Sequence, residues 1–192
     1  MVKLEGQDKK EFEKAKDLLE GGPDTELGFV KSLYFGRLEL DQVMPFPRQD
    51  PEEKARTDEL IERVDAFMRN HVDPDRIDAE EHIPRQVIDG LADLGVLGMT
   101  VPKEYGGGGF SHTAYCRVLQ RVAETCSSTA VFIGAHQSIG LKALLLNGTE
   151  GQKKHWLPDL AAGRTLAAFC LSEPEVGSDA ANVQTRARLS DD

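Results

Sequence analysis

The chain has 192 residues, 40% hydrophobic and 29% charged, with 33 acidic against 23 basic side chains and a net charge of −10. That length supports one domain with a sizeable core, or one domain and part of another. So acidic a balance, with no Lys/Arg-rich stripe, argues against a phosphate-backbone partner, and no nucleic acid is expected.

The three cysteines, Cys116, Cys126 and Cys170, are widely spaced and form no C-x-x-C pair. They read as reduced thiols of an intracellular protein, and no metal is expected. With no signal, transit or membrane-spanning segment expected, the location expected is cytoplasmic, or peripheral to a membrane. The start, Met1-Val2-Lys3-Leu4-Glu5, lacks an apolar signal core and carries acid that transit peptides avoid. No apolar run is expected to be long enough to cross a bilayer.

Residues 1–22 place Phe12, Ala15, Leu18 and Leu19 at helical spacing before Gly21-Gly22, which predicts a helix with a narrow apolar stripe. A second amphipathic stretch, Leu27 to Leu38, carries Phe29, Val30, Leu33, Tyr34 and Phe35. So much apolar surface is expected to pack onto the main body, with a partner or a peripheral membrane contact as the alternative. Val43-Met44-Pro45-Phe46-Pro47 is an extended linker by its prolines.

Pro51 opens a longer helix with Leu60, Ile61, Val64, Phe67, Met68 and Val72 on one face, and Asp73-Pro74-Asp75 breaks it. From Pro84, the set Val87, Ile88, Leu91 and Leu94 forms another face, which Gly95 is placed to close. An extended piece, Val96 to Pro102, leads into Gly106-Gly107-Gly108-Gly109. No strand precedes these glycines and no Lys-Ser or Lys-Thr follows them, so they read as a flexible connector rather than a phosphate loop.

Ser111 is placed to cap a helix with Tyr115, Val118, Leu119, Val122 and Cys126 on one face. The most apolar helix follows, Thr129 to Asn147, and its near-continuous hydrophobicity predicts a central, enclosed position. His136 within it is expected to be a hydrogen-bonded core residue rather than a ligand. Thr149 and Gln152 make a capping box for a helix bent or ended near Pro158 and finished by Gly163.

The segment Ala168-Phe169-Cys170-Leu171-Ser172-Glu173-Pro174-Glu175-Val176-Gly177-Ser178-Asp179 begins as an apolar run suited to a buried strand. Pro174 should end that strand, and Gly177-Ser178-Asp179 is turn chemistry. On chemistry alone this is either a structural turn or a mouth of amides and hydroxyls for a planar heterocycle or phosphate. Val183, Thr185, Ala187 and Leu189 then alternate with polar residues, the pattern of a strand with one wet face.

The order small–aliphatic–Ser172–Glu173–x–x–x–Gly177–Ser178–Asp179 resembles the flavin-contacting motif of the acyl-CoA dehydrogenase family. Val176 and Asn182 depart from it, standing where small residues are usual. Two further segments are similar to that family in the same order: Val101-Pro102-x-x-Tyr105-Gly106-Gly107-x-Gly109, and Gly148-Thr149-x-x-Gln152 through Leu157-Pro158 to Gly163. Phe35-Gly36-x-Leu38 to Pro47, with Ala135-His136-Gln137-Ser138-Ile139-Gly140, look most like its very-long-chain branch.

The resemblance implies a mainly α fold, a helical-bundle N-terminal domain followed by the truncated first strands of a β-domain. The divisions expected are an extension and linker (1–47), the helical domain (48–164) and the start of the β-domain (165–192). It implies FAD as cofactor, contacted by Phe169, Cys170, Leu171, Ser172, Glu173, Pro174, Glu175, Val176, Gly177 and Ser178, with Ser178 also meeting the substrate. It implies fatty acyl-CoA as substrate, electron-transfer flavoprotein as acceptor and a homo-oligomer at full length. The family's catalytic carboxylate lies in a C-terminal domain, so no catalytic residue is expected here, and the chain reads as an inactive N-terminal fragment. The alternatives are a stand-alone helical interaction module, or a relative of altered chemistry such as a nitroalkane oxidase or flavin monooxygenase.

Overall fold

The computed structural model describes residues 28–34, 36–46 and 48–188. The chain divides into two compact units, Met1–Arg48 and Gln49–Asp192. The helix expected over residues 1–22 lies outside the described residues. In the first unit, the Leu27–Leu38 stretch forms only a short helix, α1 (Phe29–Tyr34), followed by a 3-10 turn at Leu40–Gln42. Val30, Leu33, Tyr34 and Phe46 are exposed.

The second unit is built on α2 (Pro51–His71). Asp50 caps it, accepting from the Glu52 and Glu53 amides at 2.9 and 3.2 Å, and Pro51 occupies the first turn, where its missing N–H costs nothing. The acids Glu52 and Glu53 open the helix while Arg69 and His71 close it, which suits the macrodipole. Asp73-Pro74 ends α2 and also starts another helix, α3 (Pro74–Glu80), with Asp73 accepting from the Arg76 amide at 3.0 Å.

Helix α4 (Arg85–Asp93) buries Val87 and Leu91, and α5 (His112–Thr125) buries Ala114, Tyr115, Val118 and Val122. The Ser111 hydroxyl caps α5 at the Ala114 amide, as its sequence position implies. Helices α2 and α5 share the main core, in which Leu60, Val64 and Met68 meet Val118, Val122 and Ile133. Arg117–Asp58 at 2.6 Å and Arg121–Asp65 at 2.5 Å close the seam at its surface.

The connector between α4 and α5 differs from expectation. Val96–Gly98 is a 3-10 turn, and Val96, Leu97, Met99 and Val101 are fully buried. The four glycines are pinned rather than loose: the amides of Gly108, Gly109 and Phe110 donate to the carbonyls of Gly98, Val101 and Met99. Burying so many apolar residues in a loop requires its backbone groups to find internal partners, and this pairing supplies them.

The apolar run is a continuous helical stretch of 21 residues, Ser127–Asn147, long and apolar enough by those two measures to cross a bilayer. That corrects the expectation that no run has the length. It also differs from a single enclosed helix. It consists of α6 (Ser127–Gly134), a π-helical segment (Ala135–Leu141) and α7 (Lys142–Asn147). Thr129, Ala130, Ile133, His136, Gln137 and Leu141 are buried, whereas Val131, Ile139 and Leu146 are exposed, so one face is open.

Helix α8 (Glu150–Ala161) starts at the capping box, with Gln152 amide to Thr149 Oγ1 at 3.3 Å and Thr149 amide to Gln152 Oε1 at 2.8 Å. It runs through Pro158 instead of ending there. Burial of Leu157 and Ala161 on either side offsets the roughly 3 kcal/mol that an internal proline costs. The end of α8 lies directly on the 3-10 turn, because a Cβ at Gly98 would fall 2.5 Å from the Ala161 carbonyl oxygen and 2.9 Å from its Cα. Gly98→Ala is therefore expected to lower the unfolding free energy by about 2–3 kcal/mol in urea titration, since the atoms in the way are backbone. An unchanged midpoint would show that the contact can open freely.

No strand forms among the described residues; the only ladder-like pairing is an isolated bridge between Glu173 and Val176. The mainly α expectation holds, but the strands expected at Ala168–Ser172 and Val183–Leu189 do not form over the described positions. Phe169 and Leu171 are exposed, not buried. A strand takes its ladder bonds from a neighbour, and the described residues offer this segment no neighbouring strand to pair with.

Candidate functional site

Residues 164–188 leave the helical body at one fixed place. Gly163, with φ 68°, follows the end of α8 in the left-handed conformation that glycine adopts freely. The Asp159 carbonyl accepts from the amides of Arg164 and Thr165 at 3.0 and 3.3 Å. The chain then lies against the π segment, where a Cβ at Gly140 would fall 2.3 Å from the Ala167 Cβ.

His136 joins these parts. Its Nδ1 accepts from the Ala167 amide at 3.0 Å, and its Nε2 lies 3.1 Å from the Leu160 carbonyl oxygen. A ring nitrogen that accepts an amide proton cannot carry one, so Nε2 bears the hydrogen and donates to Leu160. The imidazole is 1% exposed, and burial, opposed by the carbonyls of Leu160 and Leu97, lowers its pKa from the ordinary 6.5.

The unfolded chain takes up a proton near pH 6.5, where the folded chain resists it, so the stabilisation is present above that pH and lost as pH falls. Between pH 6.5 and the lowered folded pKa, unfolding free energy should drop by at most about 1.4 kcal/mol per pH unit from this group. His136→Gln should flatten that slope in denaturant titrations, and an unchanged slope would contradict the assignment.

Gln137, the next residue, binds the other loop. Its Nε2 donates to the Val96 carbonyl at 2.6 Å, and its Oε1 accepts from the Thr100 amide at 3.2 Å. Two consecutive inward polar side chains thus fix both connectors to one helical segment. The sequence signalled this only as polar residues interrupting an apolar run. The Gly140–Ala167 approach carried no sequence signal.

Beyond Ala167 the motif is largely solvent-facing. Phe169 is 56% exposed, and Cys170, Leu171, Ser172, Gly177 and Ser178 are also exposed. Among the described residues, the backbone N–H groups from Ala168 to Ser172 have no intramolecular acceptor, and the Ser172 and Ser178 hydroxyls have no protein partner.

Glu173 and Val176 exchange both backbone bonds, at 2.8 and 3.1 Å, so Pro174 and Glu175 form the corner of a tight turn. Proline suits the first corner position, where its ring presets φ. Val176 is only 1% exposed, which accounts for an aliphatic side chain at a position where the motif is usually small. Glu173 turns to the downstream chain, its carboxylate accepting from the amides of Gln184 and Thr185, each at 2.8 Å. The Thr185 hydroxyl and these amides hold its pKa below the ordinary carboxylate value.

Unpaired amides, two open hydroxyls and the exposed apolar faces of Phe169 and Leu171 suit the polar rim and flat face of a heterocycle such as the flavin of FAD. The donor set fits that group, and it would have to supply the acceptors that this stretch of backbone lacks.

Comparison with known proteins identifies the family of the helical body. The sequence profile described as acyl-CoA dehydrogenase, N-terminal domain, matches residues 54–164, so the chain belongs to the acyl-CoA dehydrogenase family. The human mitochondrial very long-chain specific acyl-CoA dehydrogenase is 43% identical over 160 residues, covering 83% of this chain and 24% of that protein. Probable acyl-CoA dehydrogenase FadE10 of Mycobacterium tuberculosis is 41% identical over 179 residues, covering 93% and 27%. The chain thus spans about a quarter of the length of these curated relatives.

Among solved structures, the acyl-CoA dehydrogenase of Bacillus anthracis complexed with FAD superposes with a TM-score of 0.63 at 32% identity, covering 80% of this chain and 26% of that one. A structure titled for the electron transferring flavoprotein of Acidaminococcus fermentans gives 0.66 at 28% identity, covering 78% and 38%.

Proposed function

We propose that this chain supplies the N-terminal helical domain of an FAD-dependent acyl-CoA dehydrogenase that introduces a double bond into long-chain fatty acyl-CoA thioesters. The observation that carries the reading is the solvent-facing Ala168–Ser172 run, whose backbone donors have no acceptor among the described residues, together with the open Ser172 and Ser178 hydroxyls, rooted at a fixed point on a family-typical bundle. FAD, when bound, supplies the hydride acceptor for α,β-dehydrogenation.

The chain's own contribution is to bind and orient. Phe169 to Ser178 would line the cofactor, and Ser178, at the open bend, would also meet the thioester. A base for the α-proton must be a carboxylate held in a water-poor site. Glu173 is engaged with the downstream amides, and the other carboxylates lie mainly on exposed helix faces. The reading therefore places the base in a part of the enzyme outside these residues. An electron-transfer flavoprotein as acceptor and a homo-oligomeric enzyme belong to the same proposal.

The 192-residue chain by itself is expected to take up FAD weakly and to show no turnover. Incubation with FAD, palmitoyl-CoA and an artificial electron acceptor tests this. Acceptor reduction above the protein-free background would reject the placement of the base elsewhere.

A further inference from the structure

We infer that His136 is a positioning residue for the flavin-contacting segment: its neutral Nε2-H imidazole clamps the Ala167 amide to the Leu160 carbonyl and fixes the point from which that segment departs. The inference rests on the reading of Phe169–Ser178 as cofactor-facing.

Three observations support it. Both ring nitrogens are used, one toward α8 and one toward the departing chain, at 3.1 and 3.0 Å. Among the described residues, the Ala167 amide is the last one before the turn at Glu173 with an intramolecular acceptor, for the amides of Ala168 to Ser172 have none. The ring belongs to a π-helical segment whose Gly140 lets Ala167 lie against it, so clamp and contact surface come from the same turns. π segments are over-represented at functional sites, consistent with a helix distorted to aim a side chain.

The two bonds can be separated by substitution. An asparagine amide reaches the position of Nδ1 and can still accept from Ala167. A glutamine amide reaches the position of Nε2 and can still donate to Leu160. Amide exchange and His136 15N shifts, read by NMR on the 192-residue chain, should show the Nε2-H tautomer. The Ala167 amide should exchange about tenfold more slowly than those of Ala168–Ser172. His136→Asn should keep most of that protection and His136→Gln should lose it, while unchanged exchange at Val64 and Val118 shows that the bundle still folds. An Nδ1-H tautomer, or equal protection in the two variants, would overturn the clamp.

In a polypeptide that joins this chain to the further domains of the proposed enzyme, His136→Asn should retain FAD about tenfold more tightly than His136→Gln. Equal FAD affinities despite different Ala167 protection would overturn the positioning role. If the unsubstituted polypeptide takes up no FAD, the cofactor reading and the positioning role fail together, while the exchange data still decide whether the clamp exists.

Discussion

Leu91→Ala is expected to lower the unfolding free energy of the helical domain by about 3–5 kcal/mol, near the top of the range for such truncations. Leu91 is fully buried in the shared core of α2, α4 and α5. The cost depends on how far the surroundings can collapse into the vacated space, and here they are held apart. Gly90 already brings α4 so close to α2 that a Cβ there would fall 2.2 Å from the Phe67 ring. That contact leaves the helices little room to close, so most of the cavity is expected to stay. Urea unfolding followed by circular dichroism measures the effect, and a loss below about 1.5 kcal/mol would show that the core repacks.

Gln137→Leu is the second large effect, for a different reason. The substitution roughly preserves volume but removes the partners of the Val96 carbonyl and the Thr100 amide. Each orphaned backbone group costs about 1–3 kcal/mol when no water can reach it, so for the two groups a loss of about 2–6 kcal/mol is expected. Thermal unfolding should show it, accompanied by faster exchange of the Thr100 amide. A near-neutral result would mean that water enters the loop and satisfies both groups.

The features that could be read from sequence are those decided within a few residues. Ser111 and the Thr149–Gln152 box cap their helices because capping is settled by the hydroxyl and the next three amides. His136 was legible as a bonded core residue because a polar ring in an apolar run needs internal partners. Asp73-Pro74 shows where such reading stops, since the pair that breaks one helix is equally suited to cap the next. The glycine connector looked loose because its backbone partners, Gly98, Met99 and Val101, are supplied by the folded loop.

The open face of Ser127–Asn147 was hidden for a similar reason. Composition reports apolarity but not what covers it, and Val131 and Leu146 are uncovered here. The strands failed on a non-local requirement, for alternation can mark a strand without providing the neighbour that completes its ladder. In the candidate site, the sequence order picked out Ser172, Gly177 and Ser178. The anchoring of that segment through His136 and Gly140 was visible only once the helices were packed.

The most direct measurement is on the polypeptide carrying this segment together with the domains its relatives append to it. The account predicts that it purifies yellow with about one FAD per chain, and that anaerobic palmitoyl-CoA bleaches the flavin absorbance. A well-folded protein that emerges colourless and takes up no FAD on incubation would contradict it.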